Sequence, residues 1–168
     1  MRSSSFVAAF MLLAGAAPLP AQYPAPTITK GVSLQQKLNS PLPLDLTFHD
    51  ESGRTVPLRT YFGDKPILLE LVYFKCTSLC PMTLQESVSS LGKIPLVPGR
   101  DYDVVVVSFD PADTPAGAAQ EKAKYAKQFQ KAGFDSGWHF LTGSQDSISR
   151  LTQAAGFQYR WEDRKSVV

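Results

Sequence analysis

Ile67-Leu68-Leu69-Glu70-Leu71-Val72-Tyr73-Phe74 runs directly into Lys75-Cys76-Thr77-Ser78-Leu79-Cys80-Pro81. The first eight residues are nearly all apolar, the pattern of a strand buried on both faces. The residues from Pro81 to Leu91 have helical spacing. The only two cysteines of the chain therefore fall at a junction between a strand and a helix. A thiol pair in that setting can hold a soft metal, cycle between dithiol and disulfide, or form a structural disulfide.

Proline is favoured at the first helical position and disfavours helical geometry in the residue before it. Cys80 is thus expected at or near the N-cap of the helix, facing unsatisfied backbone N–H groups and the positive end of the helix dipole. Such a place lowers a thiol pKa. Lys75 adds positive charge nearby, and Cys76 lies in the loop or in an irregular first turn. Two thiolates suit Cu(I) or Zn(II) better than harder ions. A structural zinc site normally takes four protein ligands, and the chain has no second cysteine pair. Copper, as Cu(I) and also as Cu(II), is therefore the expected metal, with Cys76 and Cys80 as its ligands.

Outward from the loop, the remaining segments read as alternating strands and helices. Leu44 to Leu58 gives two short strands around a turn at Glu51-Ser52-Gly53-Arg54. Tyr102 to Phe109, with its valine run at 104–107, fits a buried parallel strand. Thr114 and Pro115 are good N-cap and first-turn residues for a helix running to about Ala132, with Ala119, Ala123, Ala126 and Phe129 as its buried stripe. Trp138 to Leu141 is a short strand. Ser144 to Ala155 is a helix with Ile148, Leu151 and Ala155 on one face, ended by Gly156. A β-hairpin followed by β-α-β-α-β-α argues for an α/β layered domain with a partly parallel sheet.

With 168 residues and a hydrophobic fraction of 43%, the chain can build one packed domain. Its net charge of +2 is not gathered into a basic cluster, which argues against nucleic acid as a partner. Arg2, the apolar run from Phe6 to Ala17 and the small residues ending at Ala21 read as an export signal over 1–21. That run is short for a membrane span, which needs ~20 residues. Contact with a membrane is therefore expected only if the segment stays on as an anchor. Residues 22–43 contain four prolines and read as a linker or extended arm, and 44–168 as the folded domain. Export would place the thiols where disulfides persist.

The loop from Phe74 to Pro81 resembles the cysteine loop of the SCO/SenC family of copper-handling proteins. Val107-Ser108-Phe109-Asp110-Pro111-Ala112-Asp113-Thr114-Pro115 resembles the family's next signature, and Gly137-Trp138-His139-Phe140-Leu141-Thr142-Gly143 a third. The similarity covers roughly 40–160, in the right order. It implies a thioredoxin-like fold in the bacterial periplasm or the mitochondrial intermembrane space. It also implies a metallochaperone that delivers copper to the binuclear copper site of cytochrome c oxidase. The expected partner is then the copper-bearing subunit of that oxidase or another periplasmic copper or thiol protein.

The family's third copper ligand is a histidine that follows a segment like Gly156 to Trp161, and no residue here takes its place. The family's terminal β-hairpin and helix have no counterpart either, so the expected fold lacks them. Two other functions stay open: a thiol–disulfide oxidoreductase acting through Cys76 and Cys80, and a truncated, non-functional relative. His139 is expected to be structural and His49 a solvated turn residue. Asp110 and Asp113 are either supports or docking groups of the site, or the residues that end a strand and cap a helix.

Overall fold

The computed structural model describes residues 31–161; the segment expected to be a leader, 1–21, lies outside them. Among the described residues no helix is long and apolar enough to cross a membrane. The chain forms β1 (Ser33–Leu34), β2 (Thr47–His49), β3 (Thr55–Pro57), a 3-10 turn (Leu58–Tyr61), β4 (Ile67–Val72), α1 (Leu79–Lys93) and β5 (Asp103–Ser108). It continues as α2 (Pro115–Ala126), α3 (Phe134–Gly137), β6 (Trp138–Leu141), α4 (Gln145–Ala155) and β7 (Phe157–Gln158).

The central sheet has the order β4-β5-β6 and is parallel throughout, with Ile67 opposite Asp103 and Val104 opposite Trp138. Every residue of β5 is buried because it is the middle strand and both of its faces are covered. Alternation along the strand divides the valines between two cores. Val104 and Val106 face Leu84 and Val88 of α1, Ala118 and Tyr125 of α2, and the rings of Phe129, Phe134, Trp138 and Phe140. Val105 and Val107 face Ile148 and Leu151 of α4 together with Leu46, Phe48 and Leu58. A β-branched run in sequence thus becomes the centre of a three-layer sandwich.

The buried stripe of α2 differs from the alanine set expected at 119, 123 and 126. Ala118 and Tyr125 are buried, whereas Ala123 is exposed and Phe129 enters the core just beyond the helix end. The ring of Tyr125 decides the rotation, since it buries far more apolar area than three methyl groups. Its hydroxyl donates to the Pro81 carbonyl, 3.4 Å away. Thr114 caps α2 as expected, accepting from the Gly117 N–H at 3.2 Å. Gly156 caps α4 with φ 74°, and its carbonyl accepts the Gln35 N–H at 2.8 Å. That bond leads into the antiparallel pair of β1 and β7, so part of the stretch read as a linker is a strand.

The hairpin of β2 and β3 docks beside β6, where His49 and Thr142 exchange backbone hydrogen bonds at 2.7 and 2.9 Å. Its turn is organised by Asp50, 2% exposed. The Oδ1 atom accepts from Ser52 and Arg54 N–H groups and the Ser52 hydroxyl, while Oδ2 accepts from the Arg54 guanidinium. Burial alone would raise this carboxyl, but the Ser52 and Arg54 donors outweigh it and lower its pKa from 3.8 to about 2. The stabilisation is therefore present above pH 3.8 and is lost as the pH falls through about 2. Asp50→Asn is expected to flatten the acid limb of a plot of unfolding free energy against pH, measured by urea titration. An acid limb identical to that of the wild type would refute the assignment.

Candidate functional site: the cysteine loop

Three features bring the loop into shape at the carboxyl end of β4. The last ladder bond runs from the Phe109 N–H to the Val72 carbonyl (2.7 Å), and there the strand turns away. The next free amide, Phe74 N–H, donates instead to Oδ2 of Asp113 at 2.7 Å. The Cys76 N–H then returns to the Tyr73 carbonyl at 3.2 Å, closing a tight turn.

Helix α1 starts earlier than the proline suggests. Ser78 occupies the N-cap without a side-chain cap bond, and Cys80 is the second helical residue. The acceptor missing at the cap is supplied by sulfur: the Cys80 N–H donates to Cys76 Sγ, 3.5 Å away. Cys76, rather than Cys80, therefore sits in front of the helix N-terminus and receives one of its orphan donors.

This placement inverts the expected electrostatics. Burial opposes ionisation of Cys76, but the Cys80 and Ser78 N–H groups, the Tyr73 hydroxyl and the Cys80 thiol together hold its pKa below the ordinary value of 9.0. Burial pushes Cys80 up to about 11, and the sulfur of Cys76 beside it adds to the rise. Both cysteines are free thiols and half-buried. The pair thus consists of one thiol whose ionisation is favoured and one whose ionisation is opposed. Lys75 does not explain the difference, because its ammonium reaches the Ala112 carbonyl at 3.5 Å.

The two aspartates after β5 are buried, which removes them as surface docking groups. Asp110 closes a turn by accepting the Ala112 N–H at 2.9 Å. Asp113 does not cap α2; it bridges Phe74 to the Ser108 hydroxyl, which donates to the same Oδ2 at 2.7 Å. Tyr73 was not singled out by the sequence. It packs edge-on against Phe109 and Trp161, at ring separations of 5.4 and 5.6 Å, and its hydroxyl reaches Cys76. The signal available was a hydroxyl-bearing ring at the end of an aliphatic strand.

The histidines lie elsewhere. His139, on β6, packs at a tilt of 39° against Tyr61 with ring centroids 4.5 Å apart, and burial together with Lys122 lowers its pKa. His49 sits in β2 with Nδ1 3.3 Å from the Thr55 hydroxyl. Among the described residues no three His, Cys, Asp or Glu side chains converge as a metal cluster. The fold brings the two thiols together at the mouth of α1, and their soft sulfur atoms fit Cu(I).

The profile of the SCO1/SenC family matches residues 35–167. No curated protein sequence matches the chain. Among solved structures, a putative electron transfer protein from Aquifex aeolicus VF5 is 25% identical, with a TM-score of 0.66 over 76% of this chain and 72% of its own. Apo Sco1 from Thermus thermophilus is 28% identical, with a TM-score of 0.53 over 78% and 73%. Arabidopsis thaliana ScoI, solved with copper bound, is 24% identical and shares the fold, with a TM-score of 0.55 over 72% and 70%. The α/β architecture is the thioredoxin-like fold of these proteins. Its sequence signatures, its fold and the match across 35–167 have one explanation: the chain belongs to the SCO1/SenC family.

Proposed function

We propose that this chain is an exported copper metallochaperone that binds Cu(I) through Cys76 and Cys80 and supports assembly of the binuclear copper site of cytochrome c oxidase. The observation that carries the reading is the sulfur of Cys76 lying against the Cys80 N–H, with the second thiol beside it at the mouth of α1. Family membership supports it, and a protein of the same fold carries copper. The expected organisation is a leader over 1–21, an arm over 22–43 whose strand β1 pairs with β7, and the working domain over 44–168, acting in the periplasm or from an inner-membrane anchor. The acceptor is the copper-bearing subunit of the oxidase or another periplasmic thiol protein.

Because Cys80 titrates at about 11, ligation by both sulfurs at neutral pH expels its proton to solvent. Copper uptake therefore strengthens as the pH rises. Reduced protein is expected to take up one equivalent of Cu(I) in competition with a chromophoric chelator. Cys76→Ser and Cys80→Ser should each abolish that stoichiometric binding. A double variant that still held one equivalent would overturn the assignment.

The unequal thiols favour one second reading, a thiol–disulfide oxidoreductase. Here the Cys76 thiolate attacks a partner disulfide, forming a mixed disulfide and releasing one partner thiolate. Cys80 then loses its proton and attacks Cys76 Sγ. The partner leaves as a dithiol, taking the proton given up by Cys80 and one from solvent, and the Cys76–Cys80 disulfide carries the two electrons' worth of oxidation. Cys80→Ser separates the readings: it traps a mixed disulfide in the redox case and simply loses copper in the other.

A further inference from the structure

We propose that Asp113 is a positioning residue for the thiol pair, a latch that holds the cysteine loop in the geometry of its reduced form. The inference rests on the reading of Cys76 and Cys80 as the working pair. Asp113 lies 37 residues beyond Cys76, in the loop after β5, and is 7% exposed. Its Oδ2 accepts two donors, the Phe74 N–H and the Ser108 hydroxyl, both at 2.7 Å. Among the described residues no cation pairs with it. The usual reason for an aspartate just ahead of a helix is capping, and that is excluded because Thr114 caps α2.

The geometry of the loop depends on this contact. Beyond Val72 the strand has left the β4–β5 ladder, and the Phe74 N–H needs another acceptor. The carboxylate supplies it and fixes the start of the turn whose closing bond is Cys76 N–H to Tyr73 carbonyl. That turn sets Cys76 Sγ in front of the Cys80 N–H. The ring of Phe74 is held from the other side by Phe140, 6.2 Å away between centroids. A hydrogen bond between the two loops, from Lys75 to the Ala112 carbonyl, is long and exposed. Ser108 completes the device, since its hydroxyl donates to Asp113 while its oxygen accepts the Asp110 N–H at 3.2 Å. The end of β5 thereby fixes the carboxylate, and the carboxylate fixes the loop.

Removing the latch weakens the arrangement of the dithiol and leaves the covalently closed disulfide less affected. Asp113→Ala is therefore expected to shift the thiol–disulfide equilibrium with glutathione toward the disulfide by about tenfold, or ~30 mV for a two-electron couple. Asp113→Asn retains a carbonyl oxygen able to accept both donors, and the equilibrium should return to within about threefold of the wild type. The equilibrium is read by alkylation and mass spectrometry, with thermal midpoints recorded beside it. A merely structural role lowers the thermal midpoint of Asp113→Ala and leaves the exchange constant unchanged, which would overturn the proposal. An Asp113→Asn variant as displaced as Asp113→Ala would overturn it too. Should Asp113→Ala fail to fold, Ser108→Ala removes only the hydroxyl that orients the carboxylate and should displace the equilibrium in the same direction by about threefold. No displacement there counts against the latch. Exchange is measured without copper, so a wild-type protein that failed to bind Cu(I) would remove the metallochaperone reading and leave this result standing.

Discussion

At pH 7 iodoacetamide is expected to label Cys76 at least about tenfold faster than Cys80 in the reduced protein. Only the thiolate reacts, so the ionised fractions set the first factor. Cys80, pushed up to about 11, is ionised in roughly one molecule in ten thousand at that pH, whereas Cys76, held below its ordinary value by the Cys80 and Ser78 N–H groups, is ionised in a much larger share. That advantage is then reduced but not reversed, because a thiolate of lower pKa is a weaker nucleophile by only about threefold per unit of pKa, against about tenfold per unit in the ionised fraction. Both thiols are half-buried, so access does not reverse the order.

The pH dependence gives a second handle on the same effect. As the pH rises, the labelling of Cys76 levels off once it is ionised, while that of Cys80 keeps climbing about tenfold per unit up to about 11. Timed alkylation with peptide mass spectrometry reads both rates in one sample. Equal rates, or a faster Cys80, would mean that the Cys80 N–H does not hold the Cys76 sulfur. In that case the unequal thiols, and the oxidoreductase reading that leans on them, would go.

The misreading of that pair from sequence has a definite physical cause. Proline is favoured at the first helical position, which would make Pro81 the start and Cys80 the cap. In the structure Pro81 is the third helical residue. That place is equally open to proline, since the first N–H groups of a helix have no intrahelical acceptor to lose. Pattern cannot separate the two registers. The difference comes from Asp113, Tyr73 and the Cys76 turn, all of which act across the fold. What depends on neighbours in sequence was legible: the valine run of β5, the Thr114-Pro115 start of α2 and the Gly156 cap of α4. The rotation of α2 was not, because alanine spacing is nearly silent about which face is buried. The answer lay in Tyr125 meeting a core that includes Trp138 and Phe134.

Trp138→Ala is expected to destabilise the protein by about 3–5 kcal/mol, near the upper end for a core truncation. Trp138 has no exposed surface. Its indole stacks on Phe134 at 4.9 Å and 17°, lies 6.0 Å from Phe129 and is stacked with Phe140 at 6.5 Å. A cavity of that size opens between rings contributed by the segment after α2 (Phe129), by α3 (Phe134) and by β6 (Phe140), so collapse around it is hindered from three sides at once. Against a typical total of ~5–15 kcal/mol, such a loss is a large fraction of the stability. Trp138→Phe provides the control. It keeps the stacking and removes an indole N–H that is buried without an acceptor. The smaller ring and the deleted polar group then act in opposite directions, and the net cost should stay below ~2 kcal/mol. The same cluster underlies the cysteine loop, since Phe74 and Cys80 pack against it and Phe74 meets Phe140. Urea unfolding of the two variants measures the energies, and Cys80 alkylation in the folded Trp138→Ala protein reports on the support. A loss under ~1 kcal/mol for Trp138→Ala would show that the rings re-pack around the gap, and the aromatic cluster would no longer account for the rigidity of the floor beneath the thiols.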